Sequence, residues 1–227
     1  MSLLAAYAFD EPSGNTVIDY SGNNNNFSIA GSSALRDING HTLFGLTKNG
    51  GSMPQLPVLG QTSNRTVMCW IKGTGATWIV RWNVSSIGSG AWGLMHIGGN
   101  VAVQARSNSD LATRPTYPIP GDGLWHHYAA TYDGSAVKLY VDGVFRSQTV
   151  FAGPLRTDAD SLDIMEWTTN TTVVDDLRIY DEALTESQIA TLMDTPVASS
   201  GSGVLIWSGD GWVQSGPVKV WSGAQWS

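Results

Sequence analysis

Charge is scarce in this chain, and positive charge is scarcest. Only 14% of the 227 residues are Asp, Glu, Lys or Arg, with 12 Lys and Arg against 19 Asp and Glu, for a formal net charge of -7. Nucleic-acid binding needs clustered Lys and Arg to meet phosphates. Here they are scattered, so neither nucleic acid nor an anionic membrane surface is the expected partner. A single cysteine, Cys69, excludes an intrachain disulfide; in the run TVMCWIK it reads as a small buried hydrophobe. No apolar run approaches the roughly eighteen residues of a membrane-spanning helix, so no membrane insertion is expected. The opening MSLLAAYAFDEPSG meets Asp10 and Glu11 before a signal-peptide core can form. The expectation is synthesis in a host cytoplasm, with any extracellular role reached by another route such as lysis.

Glycine (26), tryptophan (10) and β-branched residues are plentiful instead, a profile that suits a turn-rich β protein. Short apolar segments recur between Gly, Asn, Asp and Ser clusters: LLAAYAF, TVMCWIK, TWIVRW, WGLMHIG, VAVQARS, WHHYAATYD, AVKLYVDG, VFRSQTV and TTVVDDLRIY. Several alternate with period two, the pattern of strands in an antiparallel two-sheet sandwich. In WHHYAATYD both alternating faces are partly apolar, and in TWIVRW the spacing puts Trp78, Val80 and Trp82 on one face with Ile79 and Arg81 on the other. The turns YDGS and VDGV, the second a two-residue Asp-Gly hairpin, predict a meander of strands 125–132, 136–141 and 144–150. One helix is written, where Thr185 to Gln188 has capping-box spacing and Leu184, Ile189, Leu192 and Met193 make an apolar stripe before Pro196.

Composition divides the chain into a main domain over 1–196, a Ser/Gly linker at 197–203 and a C-terminal segment at 204–227. That last segment, VLIWSGDGWVQSGPVKVWSGAQWS, repeats itself at a spacing of fourteen residues, pairing Trp207 with Trp221 and Trp212 with Trp226. A segment so apolar and so short has no core of its own. It is expected to form hairpins that dock on this chain or on a neighbour, with the four tryptophans as anchors.

Three phrases in order, AYAFDEPSGNTVIDYSGNNNN, LWHHYAATYDGSAVKLYVDG and VDDLRIYDEALTESQI, resemble the laminin-G-like branch of the concanavalin A-like jelly rolls. The resemblance implies an all-β antiparallel sandwich of two sheets, first and last strands side by side, and a short helix after the final strand. It also implies a structural Ca²⁺ where those strands meet, with Asp10, Asp19, Asp175 and Asp176 as candidate ligands; Asx turns and ion pairs to Arg178 or Lys72 are the competing roles. The closing repeat is similar to the C-terminal ends of phage virion proteins, minor tail or decoration proteins of phages infecting actinobacteria. This implies a virion location, virion protein subunits as partners and a homo-oligomer.

Catalytic patterns fail one by one. SLDIMEW is similar to the catalytic strand of laminarinase-type glycosidases, but Ser161 stands where the first Glu belongs, leaving Asp163 and Glu166, and the string falls on the wrong side of WHHYAATYDG. Retaining hydrolysis needs two carboxylates about 5 Å apart. No GxSxG elbow exists, GTGATW lacks the lysine of a phosphate loop, and His126 and His127 point to opposite faces of a strand. All four histidines read as hydrogen-bonded strand residues. For glycan binding the candidates are Trp92, in the Gly-rich stretch IGSGAWG, with Arg106, Asn108 and Trp167, although tryptophan in a sandwich also belongs to cores. The reading is a non-enzymatic virion structural or adhesion protein. The alternatives are a free-standing bacterial lectin-like protein that binds carbohydrate, or a degenerate glycosidase.

Overall fold

The computed structural model describes residues 2–11, 13–31, 34–37, 39–48, 55–56, 58–59, 64–75, 78–109, 112–151, 153–166 and 172–197, together with the backbone of 205–207 and 212–214. These form two antiparallel sheets with a core between them, the jelly-roll sandwich expected from the alternation. Among the described residues the first sheet has eight strands. Its order is Val144–Val150, Ala136–Val141, Trp125–Tyr132, Arg65–Lys72, Val173–Tyr180, Gly45–Lys48, Ala34–Asp37, and the first strand, Leu3–Tyr7, also lies on Val173–Tyr180. The second sheet has seven, ordered Ala112–Thr113, Asn100–Arg106, Ser89–Ile97, Trp78–Val84, Ser161–Glu166, Gln55–Leu56, with Thr116–Pro118 also on Asn100–Arg106.

The meander falls at 125–132, 136–141 and 144–150. Asp142 and Gly143 take φ of 53° and 74°, the left-handed pair that a two-residue hairpin matching the strand twist requires. Tyr128, Ala130 and Tyr132 face the core between the sheets. Ala129, on the opposite face, packs with Met68, Tyr140, Tyr180, Leu184 and Ile189 under the helix Glu186–Met193. This explains why both faces of that strand are apolar: one meets the other sheet, the other meets the helix. Thr185 caps the helix, accepting from the Gln188 N–H while the Gln188 side chain accepts from the Thr185 N–H. Cys69 is fully buried in the core, and burial pushes its thiol pKa up.

In the strand Trp78–Val84 the alternation is broken. Trp78 lies opposite Met95 but Val80 lies opposite Leu94, so Ile79 is one residue too many for its partner strand. Such a bulge turns the residues before it to the other face. Trp78 therefore leaves the face of Val80 and Trp82 and packs with Met95 and Ala102.

The chain divides into two units, Met1–Val197 and Ala198–Ser227. Val197, read from composition as the start of the linker, is instead seated in the first unit. It packs with Ala6 and Ala8, and its N–H donates to Asp176 Oδ1 at 2.8 Å. In the second unit Leu205–Trp207 and Trp212–Gln214 form an antiparallel hairpin in which Trp207 lies opposite Trp212. Trp221 and Trp226 lie outside the described residues.

Candidate binding cleft at one end of the sandwich

The residues proposed from sequence do not come together as a site. Trp92 belongs to the strand Ser89–Ile97, is fully buried, and lies 6.4 Å from the Tyr132 ring between the sheets. Its glycines signalled close packing rather than a loop: a Cβ on Gly93 would stand 2.0 Å from the Val80 carbonyl oxygen, and one on Gly90 would meet the Trp78 ring at 2.8 Å. Arg106 is half-buried with its Nη2 donating to Ser89 Oγ, and Asn108 is exposed in a turn. Trp167 lies outside the described residues.

Three of the four aspartates do converge, on the turn at 41–44. Asp175 Oδ2 accepts from the N–H of His41 (2.7 Å) and Thr42 (3.1 Å) and from Thr42 Oγ1 (3.3 Å), while its Oδ1 accepts from the Asp176 N–H. Asp10 Oδ1 accepts from the Phe44 N–H and Thr42 Oγ1. Burial and the neighbouring carboxylate push Asp175 up to about 8, and burial raises Asp176 to about 6 and Asp10 above its ordinary range. Asp19 does other work, tying Ala6 to Ser21 and Asn25 through four N–H and O–H donors. Among the described residues no group of three or more His, Cys, Asp or Glu side chains is arranged to hold a metal ion.

Asp163 is committed to structure. Arg81 Nη2 and Nε donate to its Oδ2 at 2.6 and 3.2 Å, both side chains are nearly fully buried, and the Arg81 guanidinium lies 5.9 Å from the Trp78 ring centroid. A carboxylate held this way is neither a nucleophile nor a proton donor for a sugar bond. The Glu166 side chain is outside the description.

What sequence reasoning missed is a cleft of about 420 Å³ at one end of the sandwich, lined by Thr74, Gly75, His96, Ile97, the Gly98–Gly99 turn and Ile119. Thr74 also walls a smaller hollow of about 230 Å³, lined on its other sides by Ile71, Tyr128, His126 and Leu124 among others. Each wall has a local cause. Gly98 and Gly99, both left-handed, close a two-residue hairpin between Ile97 and Asn100, and the Gly99 carbonyl accepts from the Ile119 N–H. The Gly75 N–H donates to Thr172 Oγ1, which fixes the loop after Lys72.

At the base of the cleft His96 is 6% exposed and meets Tyr128 of the opposite sheet edge to face, with ring centroids 5.8 Å apart. Neither of its ring nitrogens makes a hydrogen bond of ordinary geometry. Burial pulls its pKa down to about 4, against a weak opposing contact with the Thr74 backbone, so it is a neutral imidazole across the physiological range. The expectation of hydrogen-bonded strand histidines therefore fails for His96. It fails again for His127, which is fully buried with both nitrogens unpartnered. It holds for His126, whose Nδ1 is 2.9 Å from Asp142 Oδ2 and Nε2 3.0 Å from Asp122 Oδ1. Burial lowers the His126 pKa, but the hydrogen bonds from Asp142 and Asp122 outweigh it, so the net shift is upward. His41 stacks on Trp70 at 3.8 Å, away from the cleft. At the rim, Ile97 and Leu124 are 40% and 63% exposed.

The arrangement offers a neutral polar group at depth, apolar residues at the lip and backbone-dense glycine turns between them. Apolar walls with a few placed polar groups are the make-up of small-molecule pockets.

The sequence profile of the laminin-G-type family described as the concanavalin A-like lectin/glucanases superfamily matches residues 46–190. No curated protein matches the chain in sequence. Among solved structures, the binding domain of Paraclostridial Mosquitocidal Protein 1 matches with a TM-score of 0.69 at 14% identity, covering 90% of this chain and 54% of that one. The receptor binding domain of botulinum neurotoxin type G matches at 0.66 and 11% identity, over 85% and 51% of the two chains. The binding domain of botulinum neurotoxin DC, solved in complex with SialylT, matches at 0.66 and 11% identity, over 90% and 53%. This chain thus spans about half the length of the structures it matches, and likeness at such identity concerns the fold.

Proposed function

The chain belongs to the concanavalin A-like lectin/glucanases superfamily, and from that premise we propose that it is a carbohydrate-binding module that holds a sugar in the end cleft without acting on it. The observation that carries this reading is His96. A buried polar group without a partner is costly, on the order of 1–3 kcal/mol. His96 lines the cleft, its ring nitrogens are shielded from solvent in the ligand-free fold, and a sugar hydroxyl that supplies the missing hydrogen bond reaches them by a shift of the ring or of the cleft floor. Among the described residues no catalytic pair accompanies it: Asp163 is locked to Arg81, and the matched structures are binding domains. Binding of the full chain to an oligosaccharide array, repeated with His96→Ala, tests the proposal. Loss of binding in a variant that still unfolds cooperatively supports it; unchanged binding by His96→Ala removes the cleft as the site.

The matched structures are binding domains of bacterial toxins, which favours a lectin-like protein over the virion role expected from the closing repeat. The hairpin of the second unit supports a separate role in self-association: its Trp207–Trp212 pair is repeated in sequence by Trp221 and Trp226. Light scattering of the full chain against residues 1–197 tests that role, a lower mass for the shorter chain being the supporting result and equal masses the opposing one. For the carboxylates of Asp10, Asp175 and Asp176, we propose N–H donors and retained protons, rather than Ca²⁺, as the counter-charge. An unchanged melting temperature when Ca²⁺ replaces EGTA is the expected result, and a rise of several degrees would reinstate calcium.

A further inference from the structure

We infer that the end cleft selects uncharged sugars and discriminates against sialylated and uronic-acid-bearing ones. The inference rests on the carbohydrate-binding reading and deepens it, because it concerns what the walls of that same cleft repel. An acidic sugar is held by a cation, commonly the bidentate fork of an arginine. Among the described residues no lysine or arginine lines either the cleft or the adjoining hollow.

The two histidines that line them cannot substitute. His96 is buried and uncharged at neutral pH, so it offers a hydroxyl one donor and one acceptor but offers a carboxylate no charge. His126 has both ring nitrogens committed, one to Asp142 and one to Asp122. Even as an imidazolium it carries one positive charge between two carboxylates, so that wall of the hollow is net negative. Asp122 and Asp142 are 46% and 39% exposed at the side chain. A carboxylated sugar would lose hydration and gain no counter-charge from the walls, and the two carboxylates on His126 disfavour it further. A neutral sugar meets none of these costs, and it supplies hydroxyls that match the imidazole at the cleft base and the Thr74 hydroxyl on its wall.

The arrangement is built by the same turns that build the fold. Asp142 is the left-handed residue of the Asp-Gly hairpin, and its Oδ1 also accepts from the His127 N–H. Asp122 Oδ1 accepts from the Leu124 N–H in a tight Asx turn. The negative wall is therefore held in place and does not swing away when a ligand arrives.

The test is titration calorimetry of the full chain with matched oligosaccharides, each neutral member paired with its sialylated or uronate counterpart. At least a tenfold preference for the neutral member at 50 mM salt is expected, shrinking at 500 mM salt, where surface charges are screened. Asp122→Asn is expected to narrow the ratio at least threefold; because Asp122 is exposed, this variant tests the charge without endangering the core. An acidic counterpart bound as tightly as its neutral member, or a ratio untouched by Asp122→Asn, overturns the inference and leaves carbohydrate binding standing. Millimolar concentrations of every pair failing to bind would overturn the carbohydrate reading itself, and this inference with it.

Discussion

His96 and Tyr128 come from different sheets and meet edge to face, with their ring planes at 89°. Tyr128 is core, 1% exposed, and it holds the imidazole from below while the Gly98–Gly99 turn stands beside it. The imidazole is thereby fixed by the hydrophobic core rather than by a loop. A site built this way gains position at the expense of stability, since neither nitrogen of His96 makes a hydrogen bond of ordinary geometry in the fold.

Stability and binding should therefore separate at this residue. Replacing His96 with leucine removes two buried nitrogens that lack partners, and the ligand-free protein is expected to gain about 1 kcal/mol. Sugar affinity is expected to fall at least tenfold. Urea unfolding and titration calorimetry on the same preparation measure the two. A variant destabilised by more than about 1 kcal/mol would mean that the imidazole is satisfied after all.

The four histidines should titrate in a fixed order. Burial, with Arg178 and His41 nearby, pulls His127 down to about 3, and burial holds His96 at about 4 and His41 below its ordinary value; His126 lies above it. An imidazole NMR titration is expected to show one resonance shifting above pH 6.5 and two unmoved at pH 5. The sign for stability follows from the depressed value. The unfolded chain takes up the His127 proton near pH 6.5 while the folded chain refuses it, so stability contributed above that pH is lost as pH falls towards 3. At pH 5 the loss is about 2 kcal/mol, read as the change with pH in the difference between wild type and His127→Phe. A pH-independent difference would show that His127 is not buried as a neutral ring.

The features that local chemistry dictates were legible in the sequence. The Asp142–Gly143 turn and the Thr185–Gln188 box depend on neighbours within four residues, and the meander and the helix fell where those residues placed them. What failed depended on partners far along the chain. One extra residue, Ile79, moved Trp78 to the other face, and nothing in TWIVRW marks it because the bulge exists only against Leu94 and Met95. The glycines around Trp92 looked like a loop, yet they yield space to Trp78 and to the Val80 carbonyl in the adjacent strand. His96 gave no signal beyond an isolated histidine before a Gly-Gly turn. Its lack of a partner is a property of the opposite sheet.

Trp92, once the favoured sugar contact, should behave as core. Trp92→Ala is expected to cost about 3–5 kcal/mol, as large aromatic truncations do in packed interiors. Among the molecules that remain folded, sugar affinity should match wild type within twofold. Thermal unfolding and calorimetry report the two quantities, and a loss of affinity without a loss of stability would return Trp92 to the binding site.

Arg81 and Asp163 form a buried pair whose removal tests the absence of catalysis directly. Taking away one partner strands the other charge, and Arg81→Ala or Asp163→Ala is expected to destabilise by about 3–5 kcal/mol. The double replacement Arg81→Met with Asp163→Leu should recover most of that loss, because no uncompensated charge remains. Denaturant midpoints of the four proteins measure the losses and the recovery. If Asp163→Ala leaves stability intact while abolishing a sugar-releasing activity, the structural reading of this carboxylate is wrong.

The junction after the helix gives the last test. Asp176 is 1% exposed and accepts from the Val197 N–H, Arg178 donates to the Thr195 carbonyl, and the Val197 side chain covers Ala6 of the first strand and Ala8 just beyond it. A chain ending after Val197 keeps all three contacts; one ending after Asp194 loses them together. Losing the donor to a buried carboxylate costs about 1–3 kcal/mol, and uncovering the valine site adds about 1.5 kcal/mol more. The shorter chain is therefore expected to unfold at a lower urea midpoint than the 1–197 chain by an amount equivalent to about 2.5–4.5 kcal/mol. Equal midpoints would mean that the buried acidic residues of the last strand are satisfied without the segment that follows the helix. Its assignment to the domain rather than to the linker would then be withdrawn.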